Sequence, residues 1–167
     1  MKRDSPSLRQ LTAIEFLQTE TNYVQNLRNV EKFFIIPIEN SLSSDEPVLS
    51  KRDLFIIINN LRQIIKLHEE FLSRLENAVN DFDEEKTCIG EIICDISEPL
   101  KQVYPKYVNY FDLANDKLEE CRRENEALQS LLGDIQMQPE CSKQPLEALL
   151  IRPVQRLPSI SLLIQGK

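Results

Sequence analysis

Residues 145–167 read PLEALLIRPVQRLPSISLLIQGK, and the fold follows from how this stretch repeats. Leu146, Leu149, Leu150, Pro153, Val154, Leu157, Ile160 and Ile164 recur every three or four positions, the interval that aligns side chains along one flank of an α-helix. A second row, Glu147, Ile151, Gln155, Pro158, Ser159 and Leu162, runs down another flank and mixes apolar with small polar groups. A helix that serves only the core needs no such second flank. Pro153 and Pro158 fall inside the pattern, where each removes a backbone donor and predicts a curved or kinked axis. Arg152 and Arg156 set two forked donors beside the bend. Two readings stay open on pattern alone. One flank lies in the core while the other is offered to a protein partner, or the helix is buried on nearly all sides with both arginines paired to carboxylates of its own domain.

Upstream, the same periodicity predicts a long first helix that starts near Ser5 or Ser7 and runs to about Pro37. Ala13, Phe16, Leu17, Tyr23, Val24, Leu27, Val30 and Phe34 line one face; Thr12, Glu15, Thr19, Asn22, Asn26 and Asn29 line the other. Glu20 falls on the apolar side, where a carboxylate is costly without a cationic or hydrogen-bonding partner, so a structural partner is expected. Ser50, with Asp53 three positions on, predicts a capped second helix that continues to about Val79. His68 lies on its apolar stripe and reads as a satisfied core residue. After the charged connector NDFDEEK at 80–86, a third segment from Thr87 is predicted to end before Pro99, with the pattern resuming up to Pro105. Residues 117–136 alternate charge and leucine, with Gly133 as an expected stop before the connector MQPECSKQ.

Composition narrows the classes. The 167 residues are 41% hydrophobic and 28% charged, with only three glycines and no tryptophan, which together with the long periodic segments favours one all-α domain. A net charge of -7 disfavours nonspecific binding to nucleic acid or anionic lipid, since both need a clustered positive field. No apolar run is long enough for membrane insertion, and the opening MKRDSPSLRQ lacks the apolar core of a signal peptide, so the cytosol or nucleus is expected. Cys88, Cys94, Cys121 and Cys141 form no CxxC pair and have one histidine for company; they read as buried or partly buried free thiols, and no metal is expected. Isolated glycines exclude a phosphate-binding loop, and no nucleophile has a plausible base. A helical domain without catalytic constellations reads as an interaction module, and no cofactor is implied.

Two stretches carry a family resemblance. EFLQTETNYV at 15–24 and LLIRPVQRLP at 149–158 resemble the first and third conserved regions of the Dbl-homology domain of Rho guanine nucleotide exchange factors. With YPKYVNYF at 104–111, the chain looks most similar to the cytokinesis exchange factors of the pebble and epithelial-cell-transforming type. The resemblance spans residues 8–167 and implies the all-α fold of a Dbl-homology domain, an elongated bundle of long helices, lacking the family's final helix and the pleckstrin-homology domain that usually follows.

What the resemblance implies is a monomer that grips the switch segments of a Rho-family small GTPase, prefers its nucleotide-free form and promotes GDP release without covalent chemistry, in the cytoplasm and at the cell cortex or cleavage furrow. By position, Glu15 matches the acid that contacts the first switch. Gln155 matches a GTPase contact, and Ile151 the position that meets a selectivity residue. Lys143 would face acidic groups of a Rho-type surface, and Arg152 matches a basic position of the motif. Ser159 stands where many members carry a lysine directed at the second switch, so that charge contact is absent. Two alternatives accompany this expectation: a helical scaffold packed against another subunit, and a domain that binds a GTPase without promoting release.

Overall fold

The computed structural model describes residues 5–165, with side chains through Ile160. Leu162 and Ile164 of the two rows therefore lie outside the described side chains. The first helix, α1 (Leu8–Val30), begins where the sequence places it: Ser7 is extended, and its Oγ accepts from the Gln10 amide at 3.1 Å. It does not end near Pro37. A wide π-type turn (Glu31–Ile35) carries the chain into α2 (Ile36–Ser41), with the Ile36 amide bonded to the Glu31 carbonyl. Pro37 sits in the first turn of α2, where a missing N–H is tolerated.

The expected second helix is two: α3 (Lys51–Ile58) and α4 (Leu61–Asn80). Ser50 caps α3 as predicted, its Oγ accepting from the Asp53 amide at 3.0 Å. The break falls at Asn59, with φ 50°, and Asn60. Asparagine tolerates positive φ, and both side chains leave the helix to donate to a neighbour: Asn60 to the Val103 carbonyl at 2.7 Å and Asn59 to the Lys106 carbonyl at 3.0 Å. That neighbour, α5 (Ile89–Asn109), corrects a second expectation, because it runs unbroken through Pro99 and Pro105. The helix survives both prolines because Ile96, Tyr104 and Tyr107 are buried along it.

After α6 (Phe111–Glu124) comes α7 (Glu126–Met137), which passes through Gly133 without stopping; that residue is exposed, and a Cβ there would meet nothing within 4 Å. A short 3-10 turn (Pro139–Cys141) leads to α8 (Leu146–Leu150) and α9 (Arg152–Gln165). The predicted kink is thus a break at Ile151. The ring of Pro153 would collide with the Leu149 carbonyl in a continuous helix, so one turn ends and another begins. No strand occurs among the described residues, and none of their helices is long and apolar enough to cross a membrane.

One core is built from the middle and end of α1, from α3 and α4, and from the buried faces of α6, α7 and α8. A second gathers Ala13, Phe16, Phe71, Leu75, Ile89, Ile96 and Ile160 at the start of α1. Because Ile160 meets Ala13 and Phe16 while Arg156 meets Thr19 and Glu20, α9 runs antiparallel to α1. The free thiols divide: Cys121 and Cys141 are buried, whereas Cys88 and Cys94 are exposed, contrary to expectation. Asn60→Ala removes the cross-helix bond to Val103, and urea unfolding should show a loss of about 1 kcal/mol with an unchanged m-value.

Candidate functional site

The inner flank of α9 is anchored by charge. Glu20 of α1 has no exposed surface, and both its oxygens are taken. Oε2 accepts from Arg156 Nη2 at 2.7 Å and Nε at 3.2 Å, while Oε1 lies 2.5 Å from His68 Nδ1 on α4. Facing a carboxylate, which only accepts, Nδ1 must be the donor. The other ring nitrogen, Nε2, is hydrogen-bonded to the Tyr104 hydroxyl on α5, and Tyr104 lies 2.7 Å from the Tyr23 hydroxyl. The Arg156 guanidinium also sits over the rings of Phe16 and Tyr23, at 5.6 and 5.5 Å from their centroids. Burial pushes the Tyr23, Tyr104 and Tyr107 phenols far above their ordinary range. The partners expected for Glu20 and His68 are therefore each other, completed by Arg156.

Against this anchor lies a polar groove of about 310 Å3 between α1 and α9. Thr19, Asn22, Tyr23 and Asn26 form one wall; Arg152, Gln155, Arg156 and Ser159 form the other. Of the residues singled out from sequence, Arg152, Gln155 and Ser159 meet here. Gln155 is exposed, Arg152 donates to Gln144 Oε1 at 2.9 Å, and Ser159 Oγ is turned inward, donating to the Arg156 carbonyl at 2.8 Å. Glu15 is exposed on α1, one turn before Thr19, and Ile151 is half-buried at the break, one turn before Gln155. Lys143 does not line the groove. It is exposed, with φ 61°, in the loop before α8, and Asn29 Nδ2 ties the preceding turn to α1 by donating to the Glu140 carbonyl at 3.0 Å. At 1.5 Å per residue, Glu15 and Asn29 are roughly 21 Å apart along α1, so Glu15 and the Lys143 loop bracket the groove from opposite ends.

Thr19, Asn22 and Asn26 line the groove itself, which Glu15 and Ile151 do not. They stood on the polar face of the first helix in sequence, and that face was the available signal. Asn29 stood there too, yet it is buried, because the turn at 139–141 packs over it. Among the described residues no group of three His, Cys, Asp or Glu side chains is arranged to hold a metal ion.

Residues 12–166 match the family model of the RhoGEF domain. The chain belongs to the RhoGEF domain family. Among curated relatives it is 35% identical over 158 residues to the human Protein ECT2 and 34% identical to the mouse protein, in each case over 95% of this chain. It is 28% identical to Rac guanine nucleotide exchange factor B of Dictyostelium discoideum, over 94% of this chain. The chain spans only 17% of the length of the ECT2 proteins. Its fold superposes on the DH domain of FARP2 with a TM-score of 0.83 at 20% identity, covering 97% of this chain and 77% of that one. On the DH/PH domains of PDZ-RhoGEF, solved with activated RhoA, the TM-score is 0.81 at 21% identity, covering 94% of this chain and 44% of that one.

The anchor carries two consequences for stability. Glu20→Ala strands the Arg156 charge in the interior and should cost about 3–5 kcal/mol in denaturant unfolding, more than a cavity of that size alone would explain. The buried phenols set an alkaline limit. Below pH of about 10 both the folded and unfolded chains keep these protons, but above it only the unfolded chain releases them, so stability falls by about 1.4 kcal/mol per pH unit for each of the three. Their phenolate absorbance near 295 nm should rise together with loss of helix by circular dichroism, not before it.

Proposed function

We propose that this domain is a guanine nucleotide exchange module that docks a Rho-family small GTPase on the α1–α9 groove and promotes GDP release. The observation that carries the reading is that one polar surface joins the outer face of α1 to the spare flank of α9, while the inner flank of the same helix is locked to Glu20. Membership of the RhoGEF family supports it, as does the RhoA complex of a DH/PH neighbour of the same fold.

The mechanism needs no bond to be made or broken in the nucleotide. A partner that binds the empty GTPase more tightly than the loaded one must weaken nucleotide affinity by the same factor, since the two affinities are linked through one cycle. In this reading the domain prefers the nucleotide-free form and acts as a monomer in the cytoplasm, reaching the cortex during division. Glu15 contributes a charged acceptor to the first switch, Gln155 an amide, Ile151 an apolar contact that distinguishes partners, and Arg152 and Lys143 local positive charge. Ser159 adds no charge, so the second switch meets a neutral flank.

Release of a fluorescent guanine nucleotide from purified Rho and Rac, with and without the domain, tests the proposal. Acceleration is expected, and Glu15→Ala should lower it about 10- to 150-fold, the worth of one hydrogen bond to a charged group at 1.5–3 kcal/mol. Binding without acceleration would make the domain a GTPase-binding module, and absence of binding to either nucleotide state would leave a helical scaffold.

A further inference from the structure

We infer that Glu20 and Arg156 are positioning residues: their buried pair sets the rotation of α9 about its own axis, and thereby the side on which Ile151 and Gln155 face the partner. The inference rests on the docking surface proposed above.

Successive residues on a helix are separated by about 100° of rotation, so fixing Arg156 inward fixes where its neighbour Gln155 points, and Ile151 four positions earlier points with it. Few side chains are so fully constrained as this guanidinium. It donates through Nε and Nη2 to Glu20, through Nη2 to Thr19 Oγ1 at 3.3 Å and through Nη1 to Ser159 Oγ at 3.3 Å, and two aromatic rings flank it. The carboxylate it meets cannot swing aside, because His68 holds the other oxygen from α4. Apolar packing is a less directional reference: Pro153 and Ile160 of α9 are buried, Val154 and Leu157 only half-buried, and slippage of such contacts by a fraction of a turn exchanges one apolar neighbour for another.

A buried ion pair is a poor source of net stability, and neutral replacement of both partners is often tolerated, whereas removal of one is not. This separates positioning from folding. The test is the paired variant Glu20→Gln with Arg156→Met, with Arg156→Lys as a second variant that keeps the charge but loses the fork and the stacking. The paired variant is expected to keep its helical spectrum and cooperative unfolding. In the free domain the Ile151 methyl resonance and the Gln155 side-chain amide should shift, and nucleotide release at saturating domain should fall at least 10-fold; Arg156→Lys should shift the same resonances and lose at least threefold. If the two resonances stay in place, or release stays within twofold of the unaltered domain, the inference is wrong. Should the unaltered domain accelerate no GTPase, the exchange reading fails by itself, and the two resonances still decide whether the pair orients α9.

Discussion

One carboxylate, that of Glu20, joins four helices. It is part of α1, it meets His68 of α4 and Arg156 of α9 directly, and it reaches Tyr104 of α5 through the imidazole. Taking the Glu20 and Arg156 charges out of water costs several kcal/mol per ion, and their attraction offsets this only where geometry is good and the remaining donors are satisfied. Here they are: Thr19 and Ser159 accept from the guanidinium, and Phe16 and Tyr23 offer it their ring faces. A bundle of amphipathic helices made only of leucine and isoleucine has many neighbouring arrangements of similar energy. Each polar link in this chain has one arrangement that leaves no group unpaired.

Cross-helix polar bonds recur at several of the points where the chain departs from a regular helix. Asn59 and Asn60 interrupt α3–α4 and are held by carbonyls of α5, the helix that carries Pro99 and Pro105. Asn29 fastens the turn at 139–141, and Tyr107 donates to the Leu150 carbonyl at the end of α8, next to the break at Ile151. Each interruption leaves backbone groups without an intrahelical partner, and each is placed where a side chain from another helix fixes its geometry. The Tyr107 bond thus holds in place the break that Pro153 imposes between α8 and α9, although their apolar residues keep one periodicity.

The class of fold, the two sides of the last helix and the need of Glu20 for a partner were legible in the sequence, because each depends on local spacing and on the cost of burying a charge. The interruptions were not. Nothing local distinguishes Asn59 and Asn60 from two tolerated polar positions in a long helix; their amides matter only because α5 lies opposite. Pro99 and Pro105 misled in the other direction, since a strong local penalty was outweighed by the burial of Ile96, Tyr104 and Tyr107. Glu15, Gln155 and Ile151 were singled out through resemblance, and of the three Gln155 lines the groove. Asn22 and Asn26 were visible as part of a polar face, but which stretch of that face another helix would border is set by the antiparallel packing of α9 on α1, a long-range fact.

The groove is lined mainly by amides, hydroxyls and two arginines, one half-buried and one buried in its pair with Glu20, with an exposed acid beyond one end and a loop lysine beyond the other. A surface of this kind discriminates by direction more than by charge. For a domain of net charge -7, a partner attracted only by electrostatics would be any cation-rich surface, and the association would weaken steeply with salt. Amide and hydroxyl groups instead make mismatch expensive, because each one desolvated without a partner costs about 1–3 kcal/mol. The penalty falls on a wrong surface as soon as it docks, and on a right surface in a wrong conformation. A docking face that must favour one conformation of its partner over another gains from that property, provided the face itself does not rotate to compensate. The Glu20–Arg156 pair is the part of the fold that prevents such rotation.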